Sequence, residues 1–213
     1  DPTAKRVVEM YSQYPWPLVD RPYDRFAEIG YPFIKEFGTI GSLLDAGCGT
    51  GNVTIRIAQL LPEVRVVGTD VVEESLQIAR ASAAKLQLRN VEFRYSDLLR
   101  HDQKLGTFDF AHCWGVIHHL SDPRKGLENL HQYLNPGRYA YLWVYMLLGR
   151  RWILDIREKL DLLGITDKSY EERIEWAKKI LLAYYAEKLP ERLQRHHYGS
   201  KPTAIRVLGM LER

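Results

Sequence analysis

The chain has 213 residues, of which 46% are hydrophobic and 27% charged, a composition typical of a folded domain with a substantial core. Its 30 basic and 27 acidic residues give a net charge of +3, which argues against the concentrated basic surface of a nucleic-acid-binding protein. We find no signal peptide and no apolar run near the ~18 residues of a membrane span, so we expect a cytoplasmic protein. Its two cysteines, Cys48 and Cys113, are expected to be free thiols in a reducing compartment.

The first predicted elements are helical. Apolar spacing predicts a helix over residues 7–14, which ends at Pro15 and Pro17 because proline lacks a backbone donor. A second helix is predicted over residues 23–37.

Strands and helices alternate from residue 42 onward. The predicted strands cover residues 42–45, 64–68, 91–95, 108–114 and 139–145, and the predicted helices cover residues 52–61, 73–86 and 123–134. The fifth strand is apolar at nearly every position, which predicts burial on both faces. This alternation predicts an α/β fold with a doubly wound, mainly parallel sheet.

A glycine-rich loop follows the first predicted strand. Gly47, Gly49 and Gly51 permit a sharp turn and a close approach of the backbone to a ligand. A dinucleotide-binding loop would have glycine or alanine where this chain has Asn52, and a carboxylate beside it would repel pyrophosphate. Because Asp45 precedes the loop, we expect a ligand that presents a cationic group here.

A second carboxylate, Asp70, follows the second predicted strand about 20 residues after the loop, where it can accept hydrogen bonds from ribose hydroxyls. Asp70 could also act only as the N-cap of the helix that begins at Glu73. The two roles are compatible.

Together these features resemble the class I S-adenosylmethionine-dependent methyltransferases, a Rossmann-like family. The loop from Asp45 to Gly51 is similar to the family's first motif, and Asp70 to its second. Ser96-Asp97-Leu98 resembles the third motif, and residues 108–120 resemble the fourth. Leu134-Asn135-Pro136-Gly137 is similar to the family's turn before the fifth strand, although Arg138 stands where a second glycine is usual. The resemblance covers roughly residues 40–146 and says little about the methyl acceptor.

The resemblance implies S-adenosyl-L-methionine as cofactor, S-adenosyl-L-homocysteine as product, and no metal ion. The residues that it implies for cofactor binding are Asp45, Gly47, Cys48, Gly49, Gly51, Asp70, Val71, Ser96, Asp97, Leu98, Trp114 and Gly115. Of these, Asp97 would contact the adenine amino group.

Two features are candidates for the acceptor side. His118 could act as a general base, since imidazole titrates near neutrality. A metal site that combines these histidines with His112, Cys113 or His101 is disfavoured, because the adjacent His118 and His119 diverge and no i, i+4 pair is available. Alternatively, the histidines only shape the pocket. The aromatic segment that includes Tyr11, Tyr14 and Trp16 is predicted to form a lid, with Tyr14 toward cofactor or acceptor, or else an ordinary patch packed on the sheet.

We therefore predict three regions: a helical and aromatic lid at residues 1–38, a cofactor-binding core at 39–146, and a helical cap with an incomplete end of the core at 147–213. Amphipathic helices are predicted at residues 150–163 and 170–189, with a membrane-surface helix as the alternative for the first. The family's sheet normally ends with two further strands, for which residues up to 213 show no convincing pair.

The predicted activity is in-line methyl transfer to an oxygen, nitrogen or carbon nucleophile, on a small-molecule acceptor. Alternatives are a tRNA or protein methyltransferase and a protein that uses S-adenosylmethionine for other chemistry. A nicotinamide oxidoreductase is disfavoured by Asp45 and Asn52.

Overall fold

A computed structural model describes residues 2–16, 34, 36, 38–146, 148, 151–165 and 167–180. The chain divides into two compact units, Asp1–Val144 and Tyr145–Arg213. Most of the helix predicted at residues 23–37, the end of the helix predicted at 170–189, and residues 181–213, where the family's last strands were sought, lie outside the described residues.

The first unit is built on a five-stranded parallel sheet. Its strands are β1 (Ser42–Ala46), β2 (Arg65–Asp70), β3 (Val91–Tyr95), β4 (Phe108–Trp114) and β5 (Leu134–Trp143), in the order β3-β2-β1-β4-β5. The chain reverses its direction of winding between β1 and β4, and ligands of open α/β sheets bind at such a switch point. The predicted Rossmann-like α/β fold is confirmed.

Four α-helices are described in this unit and two in the other: α1 (Pro2–Gln13), α2 (Asn52–Leu60), α3 (Glu73–Lys85), α4 (Pro123–Gln132), α5 (Arg151–Leu162) and α6 (Tyr170–Ile180). Short 3-10 helices span Gln103–Leu105 and Ile117–His119. None of these described helices is long and apolar enough to cross a bilayer.

Core side chains alternate between the two faces of the sheet. Leu43, Val66 and Phe110 pack in one buried cluster with Ile57 of α2. Their neighbours along the strands, among them Leu44 and Val67, pack in a second cluster on the opposite face. Apolar side chains on both faces explain why these strands appear in the sequence as near-continuous apolar runs.

The expectation that β5 is buried on both faces is wrong. Tyr139, Leu142 and Trp143 are 49%, 42% and 37% exposed. Within the described part of the chain β5 is the last strand of the sheet, so it has a neighbour only on the β4 side. The strand also begins earlier than predicted, at Leu134, which pairs with Phe108 of β4. The register between the two strands then shifts, and regular pairing continues from Phe110 and Tyr139.

Asp109 joins the beginnings of three strands. Its carboxylate accepts hydrogen bonds from the backbone N–H groups of Gly41 (2.8 Å) and Ser42 (3.2 Å) and from Asn135 Nδ2 (3.0 Å), and it pairs with Arg138 (3.3 Å). These donors, chiefly the Gly41 N–H, hold the pKa of Asp109 below its ordinary value of 3.8.

We expect Asp109→Ala to lower the free energy of unfolding by about 1–2 kcal/mol at pH 7, because several donors at the sheet end lose their acceptor. Since the folded pKa is depressed, this stabilisation is present above pH 3.8 and is lost as the pH falls through the lower folded value. Urea unfolding of both proteins between pH 3 and 7 measures the difference. Alanine at the exposed Asp167 is the control, and an Asp109 effect that does not shrink toward pH 3 would contradict the assignment.

In the second unit, α5 and α6 pack against each other. Ile153, Ile156 and Leu160 of α5 are buried, as are Ile174 and Ala177 of α6. Ser169 precedes α6 and exchanges hydrogen bonds with Glu172, a capping box that starts the helix. The assignment of this unit as a cap stays a prediction.

Candidate functional site

The glycine loop is tied to the ends of two strands. The N–H groups of Gly47 and Cys48 both donate to the Thr69 carbonyl, at 2.7 and 2.8 Å, and the Gly49 N–H donates to Asp70 Oδ2 at 2.8 Å. Gly47 has φ +77°, and a Cβ there would lie 2.2 Å from Val116 Cγ2. Only glycine therefore fits at this position without displacing the loop or Val116.

Asp70 organises the end of β2. Besides the Gly49 N–H, its carboxylate accepts the N–H of Val72 at 3.0 Å. The N-cap of α3 is Val72, so Asp70 is not a helix cap as one alternative had it. Burial raises the pKa of Asp70 above its ordinary value of 3.8, while the backbone donors oppose this increase. A partly buried carboxylate of this kind is stabilised by additional donors, such as hydroxyl groups of a ligand.

A cavity of about 580 Å³ opens at this edge of the sheet. Every residue predicted to bind the cofactor lines it except Gly51: the lining includes Asp45, Gly47, Cys48, Gly49, Asp70, Val71, Ser96, Asp97, Leu98, Trp114 and Gly115. Gly51 has a packing role instead, because a Cβ there would lie 2.6 Å from Ala79 of α3 and 2.8 Å from the Phe93 ring.

The third motif forms the far end of the cavity. Ser96 follows β3, and its N–H donates to the Asp70 carbonyl at 3.0 Å. Asp97 is about one-third exposed, and its Oδ1 accepts the Leu99 N–H at 2.9 Å. This turn holds the Asp97 carboxylate at the cavity rim.

Helix α1 and the residues after it form one wall of the cavity. Tyr11 and Trp16 line it, whereas Tyr14 does not. The wall is attached at two points: the Thr50 N–H of the glycine loop donates to the Trp16 carbonyl at 3.2 Å, and Ser12 Oγ donates to Glu74 of α3 at 3.0 Å. Of the two tyrosines in the aromatic segment, the structure thus places Tyr11 rather than the predicted Tyr14 at the cavity.

The adjacent histidines lie on the 3-10 helix that follows β4. His119 is 8% exposed and lines the cavity, whereas His118 does not. Their ring centroids are 4.2 Å apart, and the His119 ring also contacts Tyr11 edge-on at 6.4 Å. Which of two adjacent histidines faces the cavity depends on the short turn at Ile117–His119, which the sequence pattern does not reveal.

Sequence reasoning considered His112 only as a metal ligand and did not place it at the cavity, which it lines beside Asp45. His112 Nδ1 lies 2.7 Å from Asp45 Oδ1. The only indication in the sequence was a polar residue inside the apolar run of β4.

The two cysteines are free, as predicted, and both are buried. Burial, with the nearby Asp45 carboxylate, raises the pKa of Cys113 to about 12 and that of Cys48 well above its ordinary value. Within the described part of the chain, no group of three or more histidine, cysteine or acidic side chains is placed to hold a metal ion.

Comparison with known proteins agrees with this geometry. A family described as "Methyltransferase domain" matches residues 44–138, the segment that supplies most of the cavity. PKMT2 from Rickettsia typhi, solved in complex with AdoHcy, is 26% identical, with a TM-score of 0.54 over 73% of this chain and 31% of that one. Residues 44–138 of this chain thus form a methyltransferase domain of the class I S-adenosylmethionine-dependent family.

The chain is also similar to curated sequences. An uncharacterized protein of Synechococcus sp. is 32% identical over 175 residues, which are 76% of this chain and 42% of that protein. The demethylmenaquinone methyltransferase of Deinococcus radiodurans is 33% identical over 95 residues, 45% of this chain and 39% of that enzyme. The chain thus spans less than half the length of either relative.

Proposed function

We propose that the cavity binds S-adenosylmethionine and that the chain transfers its methyl group to a small-molecule acceptor. The observation that carries the proposal is the convergence of Asp45, Asp70 and Asp97 on one cavity at the switch point of the sheet. Family membership and the AdoHcy complex of PKMT2 support the same cofactor.

The charge of the cavity suits a cationic ligand. Four acidic side chains line it, Asp45, Asp70, Asp97 and Glu9, whereas Lys5 is the one lysine or arginine among its described lining residues. Lys5 is mostly exposed and lies 3.8 Å from Glu9. S-adenosylmethionine carries an ammonium and a sulfonium, both of which this field attracts. A dinucleotide pyrophosphate would be repelled.

Each part of the cofactor has a counterpart in the cavity. Asp70 would accept the ribose hydroxyls, and Asp97 with the backbone after it would contact the adenine. The glycine loop and Gly115 would allow the methionine part to approach the backbone, and Asp45 would attract its ammonium. The positive φ of Gly47, which glycine adopts without strain, is the feature that lets the loop turn sharply beneath this group.

When bound, S-adenosylmethionine supplies an electrophilic methyl group on sulfur. An acceptor nucleophile would bond to that methyl carbon as the carbon–sulfur bond breaks, with S-adenosylhomocysteine as the leaving group. The chain would contribute by bringing both partners within near-attack distance, about 3–3.5 Å, and by shielding them from water. His119 at the cavity wall, or His118 behind it as predicted, would take the proton that an oxygen or nitrogen acceptor releases.

A small-molecule acceptor is supported by the wall that α1 places over the cavity and by the relative whose name gives demethylmenaquinone as substrate. The test is incubation of the purified chain with radiolabelled S-adenosylmethionine and a cell extract. Label in the small-molecule fraction is the expected result. Label in protein or RNA instead would support the alternative acceptors, and no transfer together with no cofactor binding would contradict the methyltransferase proposal.

The wall formed by α1 is expected to act as a lid that becomes more ordered with cofactor. Hydrogen exchange of residues 5–16 should slow by about tenfold or more when S-adenosylhomocysteine is added, because the ligand fills the space beneath Tyr11 and Trp16. The control is α4, which does not line the cavity and should exchange at the same rate. If the glycine loop is protected while residues 5–16 are unchanged, this segment is ordinary packing.

A further inference from the structure

Three buried polar side chains meet beside the cavity: Asp45 at the end of β1, Thr54 in α2 and His112 in β4. They are 2%, 0% and 1% exposed. His112 Nδ1 lies 2.7 Å from Asp45 Oδ1, and Thr54 Oγ1 lies 2.5 Å from Asp45 Oδ2. A carboxylate only accepts hydrogen bonds, so both neighbours donate to it. Each oxygen of Asp45 is therefore held by a donor from a different element.

The register of the sheet places the imidazole beside the carboxylate. Asp45 is paired with His112 across β1 and β4, and His112 with Tyr141 across β4 and β5, so the three side chains project from the same face. The His112 ring stacks on the Tyr141 ring, with an interplanar angle of 3° and centroids 5.7 Å apart. This stacking holds the plane of the imidazole, within which Nδ1 faces Asp45.

We propose that His112 is a positioning residue that fixes the Asp45 carboxylate for the cationic end of the cofactor. The inference rests on the proposed function, in which Asp45 faces that end. A carboxylate has about four lone-pair sites, so the His112 and Thr54 hydrogen bonds leave others available to a ligand in the cavity that Asp45 lines. Without the imidazole donor, Asp45 keeps only the Thr54 hydrogen bond, and a buried carboxylate oxygen that has lost its donor is free to reorient.

The experiment compares two replacements of His112 by calorimetry with S-adenosylhomocysteine. Phenylalanine keeps a ring to stack on Tyr141 but has no donor, so His112→Phe should weaken binding roughly tenfold or more. Asparagine carries its amide nitrogen at the same bond separation as Nδ1, so His112→Asn should bind within about threefold of the original chain. The unfolding temperature of each ligand-free variant is measured alongside, because a purely structural role would lower stability without this pattern of affinity.

The outcomes separate the two proposals. If the unchanged chain binds neither S-adenosylmethionine nor S-adenosylhomocysteine, the proposed function fails. If it binds but His112→Phe binds equally well, or a folded His112→Asn binds as weakly as His112→Phe, the positioning role is overturned while the proposed function stands.

A double-mutant comparison covers the case in which His112→Phe does not fold. Asp45→Asn removes the buried charge, so His112→Phe can be introduced in that background without leaving a carboxylate unpaired. If His112 acts through Asp45, the double variant binds as Asp45→Asn alone does. A further loss of tenfold would show that His112 acts independently and would overturn the proposal.

Discussion

Gly47→Ala is expected to weaken S-adenosylhomocysteine binding about 100-fold, or about 2.7 kcal/mol, and to lower the free energy of unfolding by about 2–5 kcal/mol. Two effects add. The backbone at φ +77° lies in the left-handed region that alanine disfavours, and the new Cβ would lie 2.2 Å from Val116 Cγ2 and 3.0 Å from its Cγ1. The loop must shift, and its shift displaces the N–H groups that face Thr69 and Asp70.

Gly137→Ala is the matched control for the conformational part of this effect. Gly137 has nearly the same φ, +73°, but a Cβ there would meet nothing within 4 Å and lies away from the cavity. It should cost about 1–2 kcal/mol of stability and leave cofactor affinity unchanged. Calorimetry and urea unfolding of both variants separate the effect of backbone strain from the effect of the Cβ contact with Val116.

A compensating variant tests the contact itself. Val116→Ala removes the two methyl carbons that the new Cβ would meet, so Gly47→Ala combined with Val116→Ala should recover part of the lost stability. Binding by Gly47→Ala at the original affinity would contradict the assignment of this loop to the cofactor.

The sequence was sufficient to predict the edge of the sheet where the site lies. Periodicity and turn residues predicted β3 and β4 with the bounds that the structure has, Val91–Tyr95 and Phe108–Trp114. Once the strands are parallel, their carboxyl ends share one edge, so Asp45, Asp70 and Asp97 must lie near one another. This inference needs topology and no atomic detail.

The sequence could not reveal features that depend on side-chain packing between elements. Tyr11 lies at the cavity and Tyr14 does not, because the rotation of α1 about its axis is determined by contacts such as Ser12 with Glu74. Gly51 looked like a ligand-contacting glycine but instead allows close packing of the loop against Ala79 and Phe93.

The exposure of β5 has a similar cause. An apolar strand predicts burial only if other elements cover it, and the sequence pattern does not show which elements do so. The Asp45–His112 pair likewise depends on the register between β1 and β4, which neither strand specifies alone.

Asp70→Ala is expected to weaken S-adenosylhomocysteine binding by about 1.5–3 kcal/mol, the contribution of hydrogen bonds to a charged group, while the fold is retained. Asp70 Oδ2 and Oδ1 accept the N–H groups of Gly49 and Val72, so part of the loss comes from a loosened glycine loop. The ligand-free variant should therefore show faster hydrogen exchange at Gly49.

The pH dependence of the affinity distinguishes the contribution of the Asp70 charge from that of its hydrogen bonds to the glycine loop. Because burial raises the pKa of Asp70 in the ligand-free chain, a ligand that needs its ionised form must first displace a proton at low pH. Affinity of the original chain should fall as the pH drops from 7 toward 4, and the difference from Asp70→Ala should shrink over the same range. Calorimetry at intervals of half a pH unit measures both curves. Equal affinity of the two proteins at pH 7 would contradict both contributions of Asp70 to cofactor binding, the one to the ribose and the one through the glycine loop.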